Sequence, residues 1–294
     1  MSKTAYTIPA DGRIMACVDA SIYADSVIDH AAWASKRLDA ALVCLHVLDR
    51  ETAHSPTADY SGNIGIDTQS ALLEELAELD AQRSRAAMRQ GRSLLERATK
   101  RAVSAGAIEP EALQRHGSLV ETATELEDDV RLFVIGKRGE SVDFNKGHLG
   151  ANLERTVRGV NRPLLVTSRK FRPIERFAIA FDGSATTRKC VEMVCMSPLL
   201  KGLACHLIVA GSEDDKLRES LGRARQELEA AGFEPRTVVQ PGDAEQVIID
   251  QVGQLDIDLL VMGAYGHSRI RHLIVGSTTT SVLRSCMIPV LLLR

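Results

Sequence analysis

With 294 residues, a formal net charge of −3 and acidic and basic side chains intermixed, the chain has room for about two domains, and its charge balance argues against a general nucleic-acid surface. No apolar run reaches the roughly 18 residues of a membrane span, and the opening MSKTAYTIPADGR has neither the order of a signal peptide nor a transit pattern; no membrane contact and a cytoplasmic location are expected. The six cysteines show no C-x-x-C spacing and the eight histidines no ligand cluster, which predicts buried, reduced thiols and no protein metal site.

The first apolar run, RIMACVDAS (13–21), reads as a strand followed by Asp19, and CLHVLD (44–49) reads as a second strand closing at Val47. A polar, breaker-rich stretch follows, TAHSPTADYSGNIGIDTQ, and then a helical pattern from about Ser70 to Ala105. Leu72, Leu73, Leu76 and Leu79 form an apolar stripe at its start, which Leu94, Leu95, Ala98 and Ala102 continue. At about 1.5 Å per residue this helix approaches 50 Å, longer than a small domain is deep. It either bends or breaks on its own sheet, with Gly91 as the natural break, or carries its leucine-rich first turns to another subunit or partner. DDVRLFVIGKRG (128–139) is the next clear strand, ending in Gly136 and Gly139; ten residues, ESVDFNKGHL, separate it from Gly150, Ala151 and Asn152. NRPLLVTS (161–168) closes the first half.

The same series then recurs in the same order. RFAIAFDGS (176–184), HLIVAG (206–211), LDIDLLVMGAYG (255–266) and MIPVLLLR (287–294) match the four runs above, so the chain is a tandem duplication with its junction near SRKFRPIER. Domains at 1–170 and 171–294 follow, the first carrying an insertion at about 52–105. In the second half strands are predicted at 176–181, 204–210, 236–240, 258–263 and 289–293, with a helix through Leu217, Leu221, Ala224, Leu228 and Ala231 that ends at Gly232. Continuously apolar strands alternating with helices specify a parallel sheet covered on both faces, so each half is a five-stranded doubly wound α/β domain.

Chemistry concentrates in VMGAYGHSRIRHLIVGSTTTSVL (261–283), where Gly263, Gly266 and Gly276 fall at x2 and x9 spacing, followed by Ser277 and Thr278 at a helix start. Unpaired N–H groups and the positive end of a helix dipole suit phosphate there. An ordinary strand-to-helix loop with capping is the plain alternative. In open parallel sheets ligands sit beyond the strand carboxyl ends. Asp182 and Val209 end strands one and two at that side, offering a carboxylate for a ribose hydroxyl and a backbone edge for a purine; taken alone, Asp182 would be a turn or cap residue. Of His267, Arg269, Arg271 and His272 inside the x9 loop, an arginine, Arg269, is expected to reach phosphate.

This plan, with Asp after strand one and G-x2-G-x9-G-S after strand four, resembles the universal stress protein family in its tandem form over almost the whole chain. The resemblance implies a flavodoxin-like, adenine nucleotide alpha hydrolase-like fold binding ATP, or ADP or AMP, and Mg2+ can accompany the nucleotide. Carried across, Asp182 approaches the ribose, the Val209 backbone the adenine, and Gly263, Gly266, Gly276, Ser277 and Thr278 the phosphates. The first half keeps Asp19, Val47, Gly136, Gly139 and Gly150, but Ala151 and Asn152 replace the hydroxyl pair, so its site is expected to be degenerate. There Glu140 and Asp143 add negative charge, opposed by Lys137, Arg138 and Lys146.

No Walker loop, kinase signature or nucleophile elbow is present, which favours a stress-response or regulatory binding protein over an enzyme. A slow ATPase or self-phosphorylating protein using Ser277 or Thr278, and a nucleotide-independent scaffold, are the alternatives. The resemblance further implies that the final strands of the two halves pair, giving an internal pseudo-dimer, with a homodimer of chains as a further possibility.

Overall fold

The structure is a computed structural model. It describes residues 11–48, 66–139, 150–212, 214–264 and 277–293, with side chains throughout except at 66–74 and 151. The first half runs β1 (Arg13–Cys17), α1 (Ala24–Leu38), β2 (Ala41–Leu48), α2 (Ile66–Ser104), β3 (Ile108–His116), α3 (Leu119–Leu126), β4 (Val130–Gly136), α4 (Ala151–Gly159) and β5 (Leu164–Thr167). The second runs β6 (Arg176–Ala180), α5 (Ala185–Met196), β7 (Ala204–Ala210), α6 (Asp215–Ala230), β8 (Arg236–Gln240), α7 (Ala244–Gln254), β9 (Leu259–Gly263), α8 (Ser277–Ser285) and β10 (Val290–Leu293).

All ten strands lie in one sheet of order β3-β2-β1-β4-β5-β10-β9-β6-β7-β8. Pairing is parallel within each half, and the single antiparallel junction joins the halves, Val166 opposite Val290, Leu165 opposite Leu291 and Leu164 opposite Leu292. The final strands therefore pair as expected. Every residue of β5 and β10 is buried, in keeping with their Leu and Val, to which β5 adds a terminal Thr167: with helices on both faces, neither side of a central strand meets water. The outermost strands β3 and β8 have no fully buried residue and are correspondingly polar. Other contacts cross between halves. Arg37 of α1 donates to the carbonyls of Leu199 and Lys201, at a short 3-10 turn (Pro198–Leu200).

α2 corrects one expectation. It runs unbroken through Gly91 for 39 residues, about 60 Å at 1.5 Å per residue. Gly91 does not break the helix but lets it lie close to the sheet: a Cβ there would stand 2.9 Å from both His46 Cδ2 and Gln114 Nε2. From Gly91 onward the helix docks through Leu94, Leu95, Ala98 and Ala102, all buried. Residues 75–90 are exposed except for half-buried Met88. At the other end of the chain, α6 stops as the sequence indicates, with Ala231 as its cap and Gly232 at φ +86°.

Candidate functional site

Within each half the order reverses between the first and fourth strands, β1 and β4 or β6 and β9, and such a switch point opens a crevice beyond the strand carboxyl ends. In the second half Asp182 lies just past β6. Its Oδ1 accepts from the Ser184 amide at 2.9 Å and from Thr187 Oγ1 at 2.8 Å, while Ser184 caps α5 by accepting from the Thr187 amide. Asp182 is thus the turn residue that its local sequence suggests, yet the side chain is solvent-exposed at the mouth of the crevice. Gly183, at φ +72°, makes that turn possible.

Gly263 ends β9 directly against α5. A Cβ at this position would stand 2.6 Å from Thr186 Cγ2, so the first glycine of the motif has a packing reason independent of any ligand. Its carbonyl accepts from Thr279 Oγ1 at 3.1 Å, which pins the first turn of α8 to the strand end. Thr279 is buried, whereas Ser277 and Thr278, the first residues of α8, are exposed. Exposed hydroxyls at a helix start, whose first amides have no partner within the helix, are the groups that suit an anion. Val209 is fully buried, so only its backbone can contribute; it follows Ile208, whose carbonyl accepts from the Phe181 amide next to Asp182. Asp182 therefore follows β6, Gly263 ends β9, Val209 lies near the end of β7, and Ser277 and Thr278 open α8, whose first turn Thr279 ties to the end of β9. Gly266, Arg269 and Gly276, together with His267, Arg271 and His272, lie outside the described residues.

Sequence reasoning missed Thr186, Thr187 and Thr279, which hold the frame. The only sequence signal was an excess of hydroxyls at the start of two helices, which does not say which of them turn inward.

The first half repeats the frame with different walls. Asp19 Oδ1 accepts from the Ser21 amide at 3.1 Å, the counterpart of the Asp182 turn. Gly136 packs on the start of α1, where a Cβ would meet Tyr23 Cβ at 2.8 Å. Asp19, Val47, Gly136, Gly139 and Asn152 line a small cleft, with Arg138, Leu119 and Leu153. Gly150 closes over it: its Cβ would sit 3.3 Å from the Gly139 amide, and a Cβ on Gly139 3.3 Å from Asp19 Oδ2. Leu153, buried, occupies the place of Thr279 and gives no bond to the strand end.

One charge expectation changes. Lys137 does not face the cleft; it is turned toward the other half, where its Nζ donates to the Cys286 carbonyl, and burial pushes its pKa down to about 8. Arg138 does line the cleft, while Glu140, Asp143 and Lys146 lie outside the described residues. The thiols nearest the two openings, Cys17 and Cys190, are pushed up to about 12 by burial and then by the neighbouring Asp19 and Asp182, so both are protonated fillers of the core. All six cysteines are free thiols. Among the described residues no helix is long and apolar enough to cross a membrane.

The family model for the universal stress protein family matches this chain twice, over residues 12–168 and 174–294. A universal stress protein of Synechocystis sp. is 36% identical over 285 residues, 96% of this chain and 99% of the relative. Among solved structures, a universal stress protein from Archaeoglobus fulgidus superposes with TM-score 0.68 at 18% identity, covering 98% of this chain and 97% of its own. A protein of unknown function from Pseudomonas aeruginosa gives TM-score 0.61 at 18% identity over 97% and 93% of the two chains. At these identities the structures attest the fold.

Proposed function

The chain belongs to the universal stress protein family, and from that premise we propose that it is a cytoplasmic stress-response or regulatory protein that binds ATP, or ADP or AMP, in its second half. In this reading the Asp182 carboxylate takes a ribose hydroxyl and the Val209 backbone meets the adenine edge. Gly263, Gly266, Gly276, Ser277 and Thr278 surround the phosphates, Arg269 adds a cation, and Mg2+ enters as the companion of the phosphates. The first-half set, Asp19, Val47, Gly136, Gly139, Gly150 and Asn152, is a degenerate counterpart that supports the pseudo-dimer. Domains at 1–170 and 171–294 carry the two sets.

One observation carries the proposal. A run of neighbours links Asp182 through α5 to Gly263 and on to Thr279 in the first turn of α8. It supports the reading because it ties an exposed carboxylate and a helix start with two exposed hydroxyls to the strand ends at the switch point, where ligands of such sheets bind. At the matching place in the first half α4 opens with Ala151 and Asn152 in place of the hydroxyl pair, and its tie to the strand end is the Gly150 amide, which donates to the Lys137 carbonyl at 3.4 Å.

The test is chemical. Purified protein is denatured by heat, and any released nucleotide is identified by chromatography and mass; nucleotide-free protein is then titrated with ATP by calorimetry. We expect one adenine nucleotide per chain. A stoichiometry near two would show that the first half is a working site, and no released nucleotide together with no heat of binding would leave the scaffold reading.

A further inference from the structure

The exposed length of α2 repeats a pattern that the nucleotide reading does not use. Leu76, Leu79, Arg83 and Ala86 recur at steps of three, four and three, the spacing of a coiled-coil seam, and Leu76 and Leu79 are 44% and 43% exposed. The charges along the same length are segregated. Glu75, Glu78 and Asp80 precede Arg83, Arg85 and Arg89, and every one of these side chains is exposed. Within the segment Asp80 and Arg83 approach as an ion pair, at 3.9 Å.

We propose that residues 75–89 of α2 form an antiparallel two-helix seam with the same segment of a second copy of this chain. The order of the charges selects the direction. Side by side in the same sense, two copies would set acid on acid and base on base; in opposite senses each acidic end meets a basic end.

The register is self-consistent. Taking Leu76 and Arg83 as one class of seam position and Leu79 and Ala86 as the other, an antiparallel pair layers Leu76 on Ala86 of the second copy and Leu79 on Arg83, whose stem covers the leucine. The flanking positions Glu75, Gln82 and Arg89 then fall opposite one another in reverse order. Glu75 meets Arg89 twice, and Gln82 meets Gln82 at the centre. The two Asp80 carboxylates approach each other near the twofold, each beside its own Arg83. Because α2 docks on its own sheet only from Gly91 onward, the docked parts of the two copies lie toward opposite ends of the seam.

The full chain is used for the test, with sedimentation velocity at low and high salt over a concentration series. Wild-type protein should form a dimer that weakens as salt rises. Glu75→Arg alone and Arg89→Glu alone each place like charges at both flanks and should raise the dimer dissociation constant roughly tenfold. The combined Glu75→Arg/Arg89→Glu variant, and an equimolar mixture of the two single variants, should recover the wild-type dimer. Leu76→Ser should abolish it, and since these positions are exposed, unchanged circular dichroism is expected throughout. A wild-type chain that stays monomeric, a dimer indifferent to both single reversals, or a combined variant no better than the singles would overturn the proposal.

Discussion

Both halves set Asp after the first strand, bend it by the same turn, and end the fourth strand at a glycine with no room for a side chain. They part company at the helix that follows. α8 opens with two exposed hydroxyls and is tied to β9 by Thr279, while α4 opens with Ala151 and Asn152 and turns Leu153 into the core. Across the next residue of the strand end the contrast repeats: the second half has buried Ala264, and the first has Lys137, which reaches across to Cys286. The shared frame is a packing requirement of the fold, so its presence in both halves does not by itself mark a site; under the proposed function, what distinguishes the halves is the residues that start the helix.

The largest test removes what joins the halves. β10 lies between β5 and β9 with Val290, Leu291, Leu292 and Leu293 all buried, so deleting residues 289–294 strips both neighbours of their partner and opens two apolar edges. Insoluble protein is the expected outcome. Soluble, monomeric truncated protein with unchanged melting would mean that each half closes its own edge and that the comparison is between two independent domains.

Next comes loss of the ligand alone. Gly276→Val should abolish measurable ATP binding in calorimetry, a fall of at least about a hundredfold, because a side chain would occupy the backbone's approach to phosphate. Ser277→Ala removes one hydrogen bond and should weaken binding only about fivefold, in keeping with roughly 1 kcal/mol. Asn152→Ala, at the matching first-half position, should leave ATP affinity and stoichiometry alone. ATP bound as tightly by folded Gly276→Val as by wild type would reduce the motif to a turn.

The strands of the second half were legible almost to the residue: four are apolar runs that the duplication supplies twice, and β8, polar and at the sheet edge, is marked by its short Val pair alone. The end of α6 was legible too, from Gly232. What escaped the sequence were side-chain choices set by one element packing against another. Gly91 looks like a helix breaker and is instead a point of close approach to β2 and β3. Lys137 looks like a phosphate cation and is spent on the opposite half. Among Ser277, Thr278, Thr279 and Thr280, nothing local marks Thr279 as the one that turns inward. Glycine, lysine and threonine each have several uses, and choosing among them requires knowing what lies opposite.

A finer test asks whether the fourth-strand glycine serves packing or ligand. Gly263→Ala sets a methyl 2.6 Å from Thr186 Cγ2, an overpacking cost on the order of 1–3 kcal/mol and a fall of several degrees in melting temperature. Thr186→Ser removes the offending methyl, so Gly263→Ala/Thr186→Ser should recover most of the loss in a thermal melt. An alanine variant that melts as the wild type does would leave the ligand as the glycine's reason. The matching first-half contact, Gly136 against Tyr23 at 2.8 Å, predicts the same direction for Gly136→Ala.

The smallest expected effect isolates the residue that breaks the symmetry between the halves. Burial lowers the Lys137 pKa from 10.5 to about 8, so the folded chain loses this proton well before the unfolded chain does. Below pH 8 the lysine is charged in both states and the fold bears the whole burial penalty, softened by the bond to the Cys286 carbonyl. Between pH 8 and 10.5 the unfolded chain holds more protons, and stability must therefore rise with pH through that window. Lys137 keeps partial contact with solvent, which holds the gain to about 2 kcal/mol or less. Lys137→Met has no proton to lose there. In urea titrations at a series of pH values, wild-type stability should gain on that of Lys137→Met from pH 8 to 10.5, while titrations common to both proteins cancel. Parallel curves across the window would mean that Lys137 stays charged and hydrated in the folded state, and that the first half has an ordinary surface cation where the second has Ala264.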